Sequence, residues 1–478
     1  MKKILSYLVI SAVLFGCTNI DNINTDPNSS YTTVPSTLLS YSQKELSDYM
    51  NTPSVNENNF RLIMQYWQET TYVDESNYDF VSRNVSNNIW ISNYVNVLNN
   101  FNKAKQLINE YNPTANESIT WPTTKKNQLA IIDMQMVYTY QTLVDTFGDI
   151  PYSQSLDLSK NQLPAYDNDT DIYQKLILRL QSDIADLNVS GSSFSIGDYY
   201  YGGNANKWYK FGNSLLLKLG IAIADVNPTL AQTTVNSAIT GGVFTSSSDD
   251  CKFDYLSTSP NYSPLFENLV ASNRNDFVAG KTIVDYMNST SDTRIAAYFQ
   301  PTTGTTYIGA IIGNPSSFTS NSAPGNYAYT ETTPGVILNY TEVAFYLAEA
   351  AARWTPASAA AAYDNAVTTS FTEWGVASDA AAYLIANPYD ALNWKKSIGE
   401  QAWVAMINQP LTSWNFYRRL DFPALLPSTS AVSIAGGKVP VRLTYPVKET
   451  TTNPTNWAAA GSAIGGDLLT TKIFWDKF

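Results

Sequence analysis

Apolar residues recur along most of this chain with the spacing of helices that bury one face. Phe60, Ile63, Met64 and Trp67 fall at i, i+3, i+4 and i+7. Trp90, Tyr94, Val97, Leu98, Phe101, Ala104 and Ile108 hold the same period over a longer stretch. Leu129, Ile132, Met136, Tyr140, Leu143 and Phe147 predict another long helix, which Gly148 stops with Pro151 beyond it. A weaker stripe begins after Pro35 with Leu38, Leu39, Leu46, Tyr49 and Met50. Asp169 and Asp171 are expected to cap a helix carrying Tyr173, Leu176, Leu180, Ile184 and Leu187. Trp208, Phe211, Leu215, Leu219 and Ile223 predict one more, ended by Asn227-Pro228. Helices return at 341–354, 357–374 and 398–407, and 439–447 reads as extended. The short helices joined by a Pro-containing turn suggest antiparallel helix pairs.

The texture changes over about 240–335, where Ser, Thr, Asn, Gly and Pro dominate. A short helix is expected within 285–298 and loop elsewhere. Tyr255, Tyr262, Phe266, Tyr307, Phe318, Tyr327 and Tyr329 are scattered through it. Long ordered loops on a rigid scaffold commonly carry function. The segment ETTYVDESNYDF at 69–80 has the same mixture, with Tyr72, Tyr78 and Phe80 among Asp74, Glu75, Asn77 and Asp79. A sugar ring presents an apolar C–H face and a hydroxyl rim, and aromatic planes flanked by carboxylates and amides match that chemistry.

The N-terminus adds a destination. Lys2 and Lys3 precede an apolar run from Ile4 to Gly16. About 13 residues is too short for a membrane-spanning helix, which needs about 20, so 1–16 reads as a signal peptide. Leu14-Phe15-Gly16-Cys17 looks like a bacterial lipobox, although Phe15 is bulkier than the usual occupant. Cys17 is then the lipid anchor and 17–35 a polar tether. The remainder, 36–478, reads as a single helical domain containing the loop-rich section.

Composition narrows the chemistry. A net charge of -12 argues against a nucleic-acid partner, because phosphate neutralisation needs a basic face. With Cys17 lipidated, Cys251 has no cysteine left to pair with. The absence of histidine removes Ser-His-Asp and Cys-His nucleophiles and imidazole zinc sites. No motif marks out a catalytic carboxylate pair among the 41 acidic residues. Asp167 to Asp171 resembles the opening of a calcium loop, but Ile172 and Leu178 stand where an EF-hand needs Gly and Glu. Helix capping accounts for those acids. Arg418 and Arg419, between Trp414 and Asp421, are expected to pair internally at a helix end.

A resemblance emerges from a series of blocks in order. They are NINTDPNSS after Cys17, QYWQETTYVDESNYDFVSRNVSNNIW at 65–90, TLVDTFGDIPYSQSL at 142–156 and KWYKFGNSLLLKLGIAIAD at 207–225. SDTRIAAYF at 291–299, NYTEVAFYLAEAAAR at 339–353, IGEQAWVAMINQPLTSWNFYRRLDFP at 398–423 and VPVRLTYPVKE at 439–449 follow. Taken together, the chain resembles the SusD/RagB-like outer-membrane lipoproteins over nearly its whole length. It departs from them in having DTR rather than DPR at 292–294, and in the scarcity of acids after Cys17.

The resemblance implies a mainly α fold, a scaffold of four tetratricopeptide-like helix pairs under a loop-rich ligand face. It implies a non-catalytic cell-surface protein that captures a glycan and hands it to a SusC-like TonB-dependent transporter. No cofactor or resident metal is expected, with room left for a structural calcium. Candidate glycan-binding residues are Trp67, Tyr72, Asp74, Glu75, Asn77, Tyr78, Tyr262, Phe266, Tyr307 and Tyr327. A peptide- or other-nutrient-binding member of the same family is the alternative, and a secreted glycosidase a more distant one.

Overall fold

A computed structural model describes residues 33–477 and is mainly helical. The signal peptide, Cys17 and nearly all of the tether lie outside the described residues. Among the described residues, four packed helix pairs form the scaffold. Pro35–Asn51 packs on the Ile91–Leu98 and Asn99–Glu110 segments, and Trp121–Phe147 on Asp169–Asp186. Ala205–Ala222 packs on Pro228–Gly241, and Tyr340–Trp354 on Ala359–Glu373. The tetratricopeptide-like expectation is met.

The Trp121–Phe147 helix is the axle of this array. From Ala130 to Phe147 every residue is buried, including Gln135, Thr139, Gln141 and Asp145. Such a helix has no solvent face, so its polar side chains must find partners inside. Thr139, Thr142 and Thr146 donate to carbonyls one turn back. Asp145 accepts from Tyr173, Asn415 and the Trp475 indole. Gly148, with φ +80°, ends the helix as expected.

The cap of the next helix differs from expectation. Asp149, in the turn after Gly148, accepts the Asp169 N–H at 2.8 Å. Asp169 instead reaches Thr170 N–H and, from the far end of the chain, Phe474 N–H. The acids at 167–171 thus tie loops to a helix start rather than cap it from the Ncap position itself. The Ala205–Ala222 helix stops at Ile223, short of Asn227-Pro228, which instead opens the unforeseen Pro228–Gly241 helix, where Asn227 caps Leu230 N–H at 3.2 Å.

One expectation fails for tertiary reasons. The apolar stripe 60–67 does not continue as a helix. Phe60–Ile63 is one turn, Gln65 takes φ +59°, and Trp67–Glu69 is a strand antiparallel to Phe277–Ala279. Trp67 there meets Phe277 at 5.4 Å and Arg61 at 5.2 Å. The stretch 439–447 runs without helix or strand, and Arg442 is buried in it against Phe147 O (2.7 Å) and Asp467 (2.7 Å). The 285–298 helix is two pieces, Lys281–Ser289 and Ile295–Tyr298, broken at Ser291 with φ +53°. Pro454–Ala463 is a further helix that the apolar pattern did not announce.

Arg418 and Arg419 pair internally. Arg418 lies 3.5 Å from the Trp414 ring centroid and donates to Asp145 O at 2.7 Å. Arg419 meets buried Glu349 at 2.7 Å. Arg353 joins that carboxylate at 2.9 Å and continues to Asp225 at 2.8 Å.

Candidate ligand-binding face

The pairing of Trp67–Glu69 with Phe277–Ala279 brings the 70–84 loop against the loop-rich section. Thr70 O accepts from Ser316 N–H, and Ala279 N–H donates to Ser322 O, so further strands of loop are stitched to the same ladder. Left-handed residues at Tyr78 (φ +69°) and Asn84 (φ +54°) turn the 70–84 loop back on itself.

Its interior is polar and well tied. Asn77 donates to Gly313 O at 2.9 Å and to Val73 O at 2.8 Å, and its own oxygen accepts from Ser428. Gly313 is required here, because a Cβ on it would stand 2.4 Å from Asn77 Oδ1. Asp79 accepts from Val81 N–H, Ser82 N–H and Ser82 Oγ. Glu69 Oε2 accepts from Ser76 N–H and Oγ, each at 2.8 Å, and Glu75 is paired with Arg83. Glu75 Oε2 is buried and has no donor. Burial pushes the Glu69 carboxyl up to about 8, with the neighbouring Glu75 reinforcing the shift. A proton held on Glu69 gives Glu75 the donor it otherwise lacks.

On this frame Tyr72 stands 67 % exposed at a cleft of about 230 Å³. Arg83, Asn268, Arg274 and Asp276 line the cleft, and Arg274 holds Asp276 at 2.6 Å. One exposed ring beside amide, guanidinium and carboxylate groups can stack on an apolar face while exchanging hydrogen bonds with its hydroxyl rim.

The candidate residues separate into groups. Tyr72 and Asp74 are exposed on the loop. Trp67, Glu75, Asn77 and Tyr78 are buried, which corrects their reading as contact residues. They build the frame, because side chains enclosed by protein have no surface to offer a ligand. Tyr262 and Phe266 are half-buried and pack on each other at 5.1 Å. Neither lines the Tyr72 cleft, although Asn268 and Ser272 just beyond them do. Tyr307 is half-buried elsewhere, and Tyr327 lines a different cleft. Sequence reasoning missed Arg83, Asn268, Arg274 and Asp276. Arg83 sat inside the 65–90 block, but only the strand pairing brings Arg274 and Asp276 beside it.

The family of SusD-like proteins described as starch-binding, associating with the outer membrane, matches residues 27–446. The chain belongs to the SusD-like family. A solved chitin-binding protein is 27% identical with a TM-score of 0.81, over 93% of this chain and 100% of that one. A SusD homologue from Bacteroides uniformis is 25% identical with a TM-score of 0.77, over 94% and 100%. A chitin-binding SusD homologue from Flavobacterium johnsoniae shares the fold at 24% identity and a TM-score of 0.76, over 92% and 97%. None of the curated proteins matches this chain. SusD-like proteins are glycan-binding and outer-membrane-associated. Among the described residues no helix is long and apolar enough to cross a membrane.

Proposed function

We propose that this SusD-like chain is a non-catalytic glycan-binding lipoprotein of the cell surface. It captures an oligosaccharide or polysaccharide and delivers it to a SusC-like TonB-dependent transporter. The observation that carries the reading is the exposed Tyr72 ring over a polar cleft, held by a loop that Glu75, Asn77 and Asp79 tie internally. A rigid ring loses little entropy when a sugar stacks on it. The similarity to a chitin-binding protein puts β-linked N-acetylglucosamine polymers first among the glycans to try, with starch beside them.

Affinity electrophoresis of the detergent-solubilised full chain through a glycan panel tests this. Retardation by one glycan without new reducing ends is expected. Tyr72→Ala should weaken that retardation by roughly tenfold, the effect of losing about 1.4 kcal/mol at an aromatic anchor. Retardation by no glycan, with binding of peptides instead, would move the protein to the peptide-binding branch. New reducing ends would make it an enzyme.

The anchor has its own readout. Cys17→Ser should abolish incorporation of labelled fatty acid and release the protein from the membrane fraction, since the acyl chains contribute about 0.8 kcal/mol per buried CH2. Labelling that persists in the variant would refute lipidation at Cys17.

A further inference from the structure

A second cleft, of about 610 Å³, opens where the loop around Tyr327 meets the Tyr340–Trp354 and Ala359–Glu373 helices. Its volume falls within the range of small-ligand sites, about 300–1,000 Å³. It shares no residue with the Tyr72 cleft.

The lining has four kinds of chemistry, one of them the ammonium of exposed Lys252. Tyr327 and Trp374 pack edge to face, with ring centroids 5.2 Å apart, and the Trp374 indole N–H is buried without a partner. Thr368, Thr369 and Thr372 place hydroxyls along one helix. Asp250 and Glu373 add two carboxylates, and both are held in place. Asp250 accepts the Tyr340 N–H at 2.7 Å, and Glu373 accepts from Asn339 Nδ2 at 2.9 Å and from Thr341. Each carboxylate oxygen can take a second donor.

These groups disfavour other ligand classes. An anion would meet two carboxylates against the single positive charge of Lys252, and a purely apolar ligand would bury the carboxylates without hydrogen bonds. A polyol supplies many uncharged donors and a ring face together. We propose that this cleft is a second carbohydrate subsite, for an uncharged oligosaccharide whose hydroxyls donate to Asp250 and Glu373 and whose ring stacks beside Trp374. The inference rests on the carbohydrate reading but not on the Tyr72 cleft.

Isothermal titration of the detergent-solubilised full chain with chitohexaose and with maltohexaose separates the two sites. The Tyr72→Ala chain is expected to keep binding one hexasaccharide. Adding Thr368→Trp, which fills the second cleft from an exposed helix position, should weaken that residual binding at least tenfold. Glu373→Gln, which keeps size and removes charge, should weaken it in the same direction, with circular dichroism confirming that both variants fold. If Tyr72→Ala alone abolishes all binding, the second subsite is refuted and the first stands. Residual binding untouched by Thr368→Trp also refutes it. Absence of binding by the unaltered chain to either sugar removes both.

Discussion

Glu349→Ala is expected to lower the unfolding free energy by about 3–5 kcal/mol, the usual cost of removing one partner from a buried ion pair. Glu349 has no exposed surface and takes two nitrogens of Arg419, at 3.0 and 2.7 Å, along with Arg353. Burial pushes its carboxyl up, but Arg419 and Arg353 outweigh burial and hold it below the ordinary value. Without the carboxylate, Arg419 stays 3 % exposed with no counter-charge, while Arg353 still reaches Asp225. The pair ties the Tyr340–Trp354 helix, which carries Tyr340 and Thr341 of the second cleft, to the Pro410–Leu420 helix, so its loss loosens the scaffold there. Replacing both partners, as Glu349→Leu with Arg419→Met, should recover part of the loss because no lone charge remains buried. Urea unfolding of the single and double variants reads this out as a fall in midpoint at constant slope. A single variant within about 1 kcal/mol of the parent would mean that water reaches the site.

The second large effect is a pH dependence located beneath the Tyr72 loop. Glu69 is 5 % exposed, and its carboxyl, raised to about 8, keeps a proton that the unfolded chain gives up near its ordinary pKa of about 4.3. The folded state therefore binds more protons across this window. Its stability is whole below pH 4, falls as pH rises, and levels off above about 8. Glu69→Gln offers an amide donor where the protonated acid would stand and keeps an acceptor for Ser76, with no ionisation in either state. The variant should match the parent near pH 4 and exceed it by about 2–4 kcal/mol at pH 8.5. Denaturation midpoints from pH 4 to 8.5 measure the difference. An equal decline in both proteins would place the titrating group elsewhere. Glycan retardation at pH 8.5 should also be stronger for the variant if the loop tightens with it.

Much of the scaffold was legible residue by residue. The stripes at 90–108, 129–147 and 208–223 mark helices that the fold contains, and Gly148 ends its helix where the residue type says it should. Arg418 and Arg419 proved internal, as residues at a helix end beside aromatics often are. The site was legible only in part. Tyr72 could be named because an aromatic among acids and amides has no helical stripe to join. Trp67, Glu75, Asn77 and Tyr78 share that local texture yet are buried, because composition does not say which way a side chain of a folded loop points.

The difference has a physical origin. By itself the sequence determined most of the long helices and several of their stops, since each depends on residues within a few turns of one another. Only the tertiary structure decided that Trp67–Glu69 would be a strand, that Arg83, Arg274 and Asp276 would share a cleft, and that Asp250 would stand beside Glu373. Those contacts close long stretches of chain, and their partners are chosen by packing and by satisfying buried polar groups, neither of which leaves a periodic trace.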